Sequence, residues 1–264
     1  MTDFHQLASP TELKSIKWRD LETKAEKRGQ ESSDAVMPSL DHLQMSDFQK
    51  VYEPSDDTFL LLDGIQLAFQ SSNNWTSKTY TVLELGCGTG VALLYVAQQL
   101  QAIFPDIHSH TFLATDINPE ALRIIRSTAK SNIPEIMDDL HTYECDLASS
   151  DSLLLPYENS VDILLFNPPY VPTPDEEVGQ TNGIEASWAG GDRGRRVIDR
   201  AIPQIGQLLR KDTGVAYVIT VDDNEPEQLA TECLQRHGLY MTPWVRRRAR
   251  NEYLTVQKLT WYPS

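Results

Sequence analysis

The pattern of apolar positions changes at Tyr80, where short apolar runs begin to alternate with segments of helical periodicity. Such alternation is typical of βαβ units and a parallel sheet. The apolar runs predict strands at 80–85, 111–115, 142–145, 161–166 and 215–221, and the periodic segments predict helices at 89–100, 119–130, 197–209 and 226–236. Segments 239–245 and 253–261 lie close enough to form an antiparallel hairpin that closes the sheet. We therefore predict an α/β fold with a mostly parallel sheet.

Residues 1–48 differ from the rest, because they are polar and contain few β-branched residues. A capping box with proline at the first helical position starts at Ser9, and Leu13, Ile16 and Leu21 would then share a narrow helix face. A frayed or disordered tail is the alternative. We predict an N-terminal appendage over 1–48, partly helical or disordered, followed by one large domain over 49–264.

The charge of the chain restricts its partners. With 38 acidic and 23 basic residues the formal net charge is −15, and the pI is near 4.7. Affinity for nucleic acids comes largely from Lys and Arg side chains that displace counterions at phosphates. Direct binding to DNA or RNA is therefore disfavoured.

Cysteines and histidines give no sign of a metal centre. Cys87, Cys145 and Cys233 form no C-x-x-C pair, which disfavours a disulfide framework or a thiolate zinc site and favours a reducing compartment. His108 and His110 are the only closely spaced histidines, and we expect ordinary surface residues there. No apolar run approaches the roughly 18 residues that span a bilayer, and the start of the chain resembles no targeting peptide. We expect a protein of the cytoplasm or nucleus, without a bound metal.

A glycine-rich turn joins the first predicted strand to the helix that follows. Gly86, Gly88 and Gly90 let the backbone approach a ligand closely, and the helix N-terminus offers free N–H groups. The turn alone could equally hold the pyrophosphate of a dinucleotide. Glu84 favours a different ligand, because a carboxylate repels a pyrophosphate and attracts an ammonium group such as that of a methionine moiety.

Two further acids follow the next two strands. Asp116 ends the second strand, where an acid can hydrogen-bond both hydroxyls of a ribose. Asp146 ends the third and can accept a hydrogen bond from an adenine amino group beside an apolar wall. Either acid alone could be a helix cap. Acids at three successive strand ends favour a nucleoside ligand that carries a methionine moiety.

The fourth predicted strand runs directly into Asn167, Pro168, Pro169 and Tyr170. The prolines stiffen the backbone and leave the Pro168 carbonyl available, and Asn167 adds a side-chain carbonyl. Two acceptors that converge on one NH₂ group hold its hydrogens and aim the nitrogen lone pair. Tyr170 can pack on the flat group. A simple Asn-Pro turn after a strand is the alternative.

Together these motifs resemble those of the class I methyltransferases that use S-adenosyl-L-methionine, over about residues 50–262. The resemblance implies a seven-stranded sheet with an antiparallel last strand and helices on both faces. The motif at 167–170 is similar to that of enzymes that methylate planar nitrogens, which include nucleic-acid adenine or cytosine enzymes and release-factor glutamine methyltransferases.

Segments 51–63 and 187–195 resemble those of the HemK-type eukaryotic and archaeal release-factor glutamine methyltransferases. The resemblance implies an enzyme that methylates the glutamine of a Gly-Gly-Gln motif. Asn167, Pro168 and Tyr170 would be catalytic, with Pro169 beside them at the substrate. The implied donor-binding residues are Thr58, Glu84, Gly86, Gly88, Asp116, Asp146, Leu147 and Asn167.

The same resemblance implies a heterodimer with a small zinc-binding activator protein, docked near the third strand. The segment 141–145 is short and, in this sheet order, would be an edge strand without a protecting lysine or proline.

The long loop over 173–195 is glycine-rich and acidic, and we expect a lid on the substrate side.

Nucleic-acid adenine methylation is the main alternative, since the motif at 167–170 permits it; methylation of other protein side chains or small molecules is a further one. The net charge opposes adenine methylation, and the basic cluster of Arg246, Arg247, Arg248 and Arg250 is isolated. We expect those arginines to form a solvated hairpin turn, with docking of an acidic or RNA-bearing partner as the alternative.

Overall fold

The computed structural model describes residues 17–31, 36–71, 79–104, 106–148, 155–174, 176, 178 and 187–261. Its helices are α1 (Trp18–Glu31), α2 (Asp56–Ser71), α3 (Val91–Ile103), α4 (Pro119–Asn132), α5 (Arg196–Leu208) and α6 (Pro226–His237). Its strands are β1 (Thr81–Leu85), β2 (Thr111–Asp116), β3 (Leu140–Glu144), β4 (Ile163–Phe166), β5 (Val215–Val221), β6 (Leu239–Ala249) and β7 (Glu252–Trp261). None of the helices in the described ranges combines the length and the hydropathy that a membrane-spanning helix needs.

The strands form one seven-stranded sheet in the order β3-β2-β1-β4-β5-β7-β6. Neighbours from β3 to β5 pair in parallel, whereas β7 runs antiparallel to both β5 and β6. This arrangement confirms the predicted fold class. β3 lies at the edge of the sheet, as its sequence predicts.

Two apolar cores cover the two faces of the sheet. Successive side chains of a strand point to opposite faces, so Val82 of β1 packs into one core while Leu83 and Leu85 pack into the other. Residues of α2, α3 and α4 fill the first core, and residues of α5 and α6 fill the second. Each core fixes its helices against the sheet, so the ends of the strands have defined positions.

Several predicted boundaries move by a few residues. α3 begins at Val91 rather than at 89 because Gly90 adopts a left-handed backbone with φ of 79°. β3 spans Leu140–Glu144 rather than 142–145. The sequence pattern gave no helix between 49 and 79, yet α2 occupies much of that segment and packs against the first core.

Helix α1 lies against β6. Arg28 donates to the backbone carbonyls of Pro243 and Trp244 and stacks over the Trp244 ring, with its guanidinium carbon 4.9 Å from the ring centroid. The helix start predicted at residue 9 lies outside the described residues. Helix α1, which lies within the predicted appendage, therefore contacts the sheet.

The arginine cluster is divided between β6 and the turn after it: Arg248 and Arg250 are exposed, and Arg250 lies in the turn, as predicted. β6 extends to Ala249, and Arg246 is 6% exposed because it is paired with Asp222, Glu22 and Glu26. Arg247 pairs with Asp63 at 2.7 Å. The prediction is wrong for these two arginines, since carboxylates from α1, α2 and the turn after β5 compensate their charges.

The prediction of a surface histidine is also wrong for His110. Its ring is 2% exposed and packs between Tyr80, Phe104 and Phe112, and its Nδ1 accepts from the Tyr80 backbone N–H at 3.1 Å. Burial lowers the pKa of His110, so the neutral ring is favoured. His110 is thus a packed core residue.

Candidate active site at the carboxyl ends of the strands

A cavity of about 200 Å³ opens where β1, β2 and β4 end at their carboxyl sides. In parallel α/β sheets ligands bind in this position. Pro169 lines the cavity. All the predicted donor-binding residues line it as well, namely Thr58, Glu84, Gly86, Gly88, Asp116, Asp146, Leu147 and Asn167. Pro168 and Tyr170 lie outside this lining. Residues predicted from separate strand ends are therefore brought to one site.

The glycine-rich turn forms one wall of the cavity. A methyl group built on Gly86 or Gly88 would meet nothing within 4 Å, so both glycines present open backbone to the cavity. Gly90 has another role, because a methyl group there would lie 2.2 Å from the Ile125 side chain. Gly90 therefore permits close packing of α3 against α4, whereas the other two leave room for a ligand.

Glu84 lies deep in the cavity and is 5% exposed. Its Oε2 atom accepts a hydrogen bond from the Leu93 backbone N–H of α3 at 3.1 Å. Burial is the main reason that the pKa of Glu84 rises to about 8. A cationic ligand beside this carboxyl group would favour the ionised form, and the ammonium group of a methionine moiety has that charge.

This shift predicts a pH dependence. Because the folded protein binds the Glu84 proton more tightly than the unfolded chain does, the resulting stability is present below the ordinary pKa of 4.5 and is lost as pH rises toward about 8. We expect Glu84→Gln to remove this loss, so that the variant gains stability relative to wild type between these pH values. Thermal melts across that pH range measure it, and parallel curves for the two proteins would contradict it.

Asp116 holds the glycine-rich turn and faces the cavity. Its Oδ2 atom accepts from the Gly88 N–H at 3.0 Å, and its Oδ1 atom accepts from the Asn118 N–H at 2.9 Å. Burial raises the pKa of Asp116. A carboxylate oxygen has more than one acceptor site, so both oxygens can still bind ribose hydroxyls.

We expect Asp116→Ala to weaken donor binding by roughly 1–3 kcal/mol, because the ribose hydroxyls lose a charged acceptor and the turn loses its hydrogen bond from Gly88. Isothermal titration calorimetry with S-adenosylmethionine measures the change. A folded variant with unaltered affinity would remove Asp116 from the donor site.

Asp146 forms an ion pair with Arg200 of α5, and both residues line the cavity. Leu147 follows in a left-handed conformation with φ of 57°, and the next N–H, of Ala148, donates to the Gln204 side chain. The loop after β3 is thus tied to α5 at two points. The sequence analysis predicts an adenine-binding role for Asp146 but not its contact with Arg200.

Asn167 follows β4 directly and contacts a residue that the sequence did not single out. Its Nδ2 atom donates to Asp57 Oδ2 at 3.1 Å, and the Tyr170 hydroxyl donates to the same oxygen at 3.1 Å. The Asn167 Oδ1 atom is buried without a hydrogen-bond partner among the described residues. An acceptor of the predicted kind is therefore available beside the cavity.

Asp57 was missed because an acid in the first turn of a helix is ordinarily explained by the helix dipole. A signal does exist in the sequence. Asp57 precedes Leu60 by three positions and Leu61 by four, which places it on the same helix face as these buried leucines. A buried carboxylate on such a face needs partners, and the donors around it supply them.

The segment 187–195 supports the backbone of the 167–170 motif. A methyl group on Gly190 would lie 2.7 Å from the Pro169 carbonyl oxygen, and one on Gly194 would lie 1.8 Å from that of Tyr170. The buried Asn224 side chain donates to the Tyr170 and Arg193 carbonyls at 2.9 Å each. The glycines therefore allow the two segments to touch, which explains their presence in this motif.

The C-terminal part of the long loop is hydrogen-bonded to Val171, which lies just before the loop begins. Val171 N–H donates to the Trp188 carbonyl at 3.1 Å, and Gly190 N–H donates to the Val171 carbonyl at 2.9 Å. Val178 and Ser187 line the cavity, which supports the predicted lid. Residues 179–186 of this loop lie outside the described part of the chain.

The fold and this site define a class I methyltransferase that uses S-adenosylmethionine. Residues 63–183 match the methyltransferase small domain family. The chain is 38% identical over 225 residues to methyltransferase HEMK2 of Homo sapiens, with 84% of this chain and 95% of that protein covered. It therefore belongs to the HEMK2 and Mtq2 family of methyltransferases.

Two further relatives fit this assignment. The eRF1 methyltransferase catalytic subunit mtq2 of Schizosaccharomyces pombe is 32% identical over 225 residues, which cover 84% of this chain and 94% of that protein. One chain of the E. cuniculi Mtq2–Trm112 complex, responsible for methylation of the eRF1 translation termination factor, superposes with a TM-score of 0.55 at 25% identity. That superposition covers 80% of this chain and 99% of the other.

Proposed function

We propose that this enzyme transfers a methyl group from S-adenosylmethionine to the side-chain amide nitrogen of glutamine in the Gly-Gly-Gln motif of a class 1 release factor. The observation that carries the proposal is the buried, unpartnered Oδ1 atom of Asn167 beside the donor cavity. A planar NH₂ group can donate to such an acceptor. Relatives that act on eRF1 support this substrate.

The residues act mainly by positioning. An amide nitrogen is a poor nucleophile because its lone pair is delocalised, and the bound donor supplies a strongly electrophilic methyl group. The Asn167 side-chain carbonyl and the Pro168 backbone carbonyl would hold the two amide hydrogens, which aims the lone pair at the methyl carbon. The same acceptors stabilise the positive charge that develops on the nitrogen. The methylated amide then loses its proton readily, so no strong base is required.

The test is a transfer assay with labelled donor and a purified termination factor. Mass spectrometry should place the label on the glutamine of the Gly-Gly-Gln loop, and a factor in which alanine replaces that glutamine should remain unlabelled. Label elsewhere in the factor, or none with the activator present, would contradict the proposal.

Adenine methylation remains the second candidate, because an adenine amino group offers the same planar NH₂ to Asn167. The net charge of −15 opposes it. In addition, Arg246 and Arg247 are committed to carboxylates within the protein and cannot neutralise phosphates. Filter binding to DNA and RNA at several salt concentrations distinguishes the two: tight, salt-sensitive binding would favour adenine methylation.

We further propose that a small zinc-binding activator protein pairs with β3. Cys145 N–H donates to the Asp116 carbonyl and Phe112 N–H donates to the Asp139 carbonyl, so alternate residues of β3 face β2. Thr142 and Glu144 then direct their backbone groups away from the sheet. The presence of Trm112 beside Mtq2 in the E. cuniculi complex supports a protein partner for this chain.

Coexpression with the activator should raise solubility and donor affinity, because a strand added at this edge would hold the Asp146 loop. By linkage, the donor should tighten the complex by the same factor. Thr142→Pro should prevent pairing without disturbing the β2 ladder, whereas Thr142→Val should not. Pull-down and calorimetry measure both effects. A monodisperse chain with full donor affinity and activity in the absence of a partner would contradict this dependence.

A further inference from the structure

We propose that Asp57 is a positioning residue for methyl transfer, which fixes the end of the Asn167 amide that faces the substrate. The inference rests on the proposed function only in requiring a planar NH₂ group as the methyl acceptor. Asp57 would act through Asn167 and would not itself touch the transferred methyl group.

The Asp57 carboxylate is 3% exposed and is surrounded by donors. Oδ2 accepts from Asn167 Nδ2 and from the Tyr170 hydroxyl, each at 3.1 Å. Oδ1 accepts from the Thr58 backbone N–H at 2.6 Å, and the Tyr52 hydroxyl lies 3.2 Å from both oxygens. An ionised carboxylate only accepts hydrogen bonds, so it satisfies every group in this cluster.

This cluster decides the orientation of Asn167. The two ends of an asparagine amide have nearly the same shape, and only hydrogen bonding distinguishes the donor end from the acceptor end. Because Asp57 can only accept, the NH₂ end of Asn167 must face it, and Oδ1 must face the opposite way. A flipped amide would place its NH₂ group against the NH₂ group of the substrate, donor against donor.

The neighbouring hydroxyl groups reinforce the same orientation. Burial, followed by the charge of Asp57, raises the pKa of Tyr52 to about 12, so this hydroxyl remains a donor at neutral pH. Burial and the same carboxylate also raise the pKa of Tyr170. The groups that contact Asp57 from Tyr52, Asn167 and Tyr170 are therefore all hydrogen-bond donors. A side chain that both donates and accepts would place a donor against at least one of them.

The first test compares two amide substitutions at adjacent acids. Asp57→Asn keeps the shape but presents an NH₂ group to at least one donor, and we expect kcat to fall about 100-fold through lost orientation. The KM for the release factor and the Kd for S-adenosylmethionine should change far less, within about threefold, because most of the surface that binds each of them is intact. Asp56→Asn, which alters an exposed acid in the same helical turn, should leave kcat unchanged. A matching loss in both variants would overturn the proposal.

The second test is a reciprocal exchange. In Asp57→Asn combined with Asn167→Asp, the new asparagine donates to the new aspartate, whose second oxygen still accepts from the substrate. We expect this double variant to recover at least about tenfold in kcat over Asp57→Asn, which is a coupling between the two sites. A merely structural loss at Asp57 would not be rescued at Asn167. If Asp57→Asn alone does not fold, a folded and active double variant supports the proposal, and an unfolded or equally inactive one overturns it.

The proposed substrate and the proposed positioning role of Asp57 can be contradicted independently of each other. If wild-type enzyme with its activator does not label the release factor, the proposed function fails, and the same variants are compared on an adenine-containing oligonucleotide, whose amine needs the same acceptor. If wild type labels glutamine while Asp57→Asn retains the wild-type rate, the positioning role alone fails.

Discussion

Replacing Asn167 with alanine should abolish methyl transfer while leaving most of the donor affinity intact. The side chain presents the buried Oδ1 acceptor beside the cavity, and its Nδ2 atom donates a hydrogen bond to Asp57. Its loss removes the group that orients the substrate amide, and we expect a fall in rate of about 10³-fold or more. Single-turnover assays with saturating donor measure the rate.

Asn251→Ala is the matched control, because this exposed asparagine lies in the turn between β6 and β7. It should keep the wild-type rate. Two results would revise the role of Asn167: a variant that keeps most of its rate would remove it from the reacting centre, and one that loses donor binding would place it with the donor alone.

The second large effect is expected for Gly194→Ala. Gly194 has φ of 64°, and a methyl group there would lie 1.8 Å from the Tyr170 carbonyl oxygen. Left-handed backbone costs alanine about 1 kcal/mol, and displacing a backbone carbonyl adds a further cost typical of overpacking, so we expect a loss of roughly 2–4 kcal/mol in unfolding free energy. Relief of the clash would move the 167–170 motif, and activity should fall as well.

Gly238→Ala is the matched control, because it imposes the same left-handed backbone strain on alanine without the steric clash. Its φ of 68° is similar, but a methyl group there meets nothing closer than 3.7 Å. We expect this variant to lose only about 1 kcal/mol and to keep its activity. Chemical denaturation measures both proteins. Equal losses in the two glycine variants would mean that contact with Tyr170 does not matter.

The sheet and the cavity were predictable because their signals are local. Strand ends fix where Glu84, Asp116 and Asn167 lie, and in a parallel sheet all of these ends meet at one side. The glycine-rich turn follows its strand directly, so its place could be inferred without tertiary information. The edge position of β3 followed from the strand order that the resemblance implies.

Asp57, Arg246 and His110 were less predictable, because their environments depend on residues distant in sequence. Asn167 lies 110 positions from Asp57, and Glu26 lies 220 positions from Arg246. A charge run in a sequence does not show which carboxylates will compensate it. His110 is neutral and buried because aromatic rings from neighbouring elements surround it, which no spacing rule for histidine reveals.

The two ends of the sheet differ in a way that limits self-association. Arg28 of α1 occupies backbone carbonyls of β6, whereas β3 at the other end presents its outward N–H and C=O groups. Growth of a fibre by edge pairing needs two open edges on each molecule, because every added copy must offer an edge for the next. In the described part of the chain α1 lies against β6, so pairing between copies through β3 would stop at a two-fold symmetric dimer. An activator on β3 would then compete with dimerisation for the same edge.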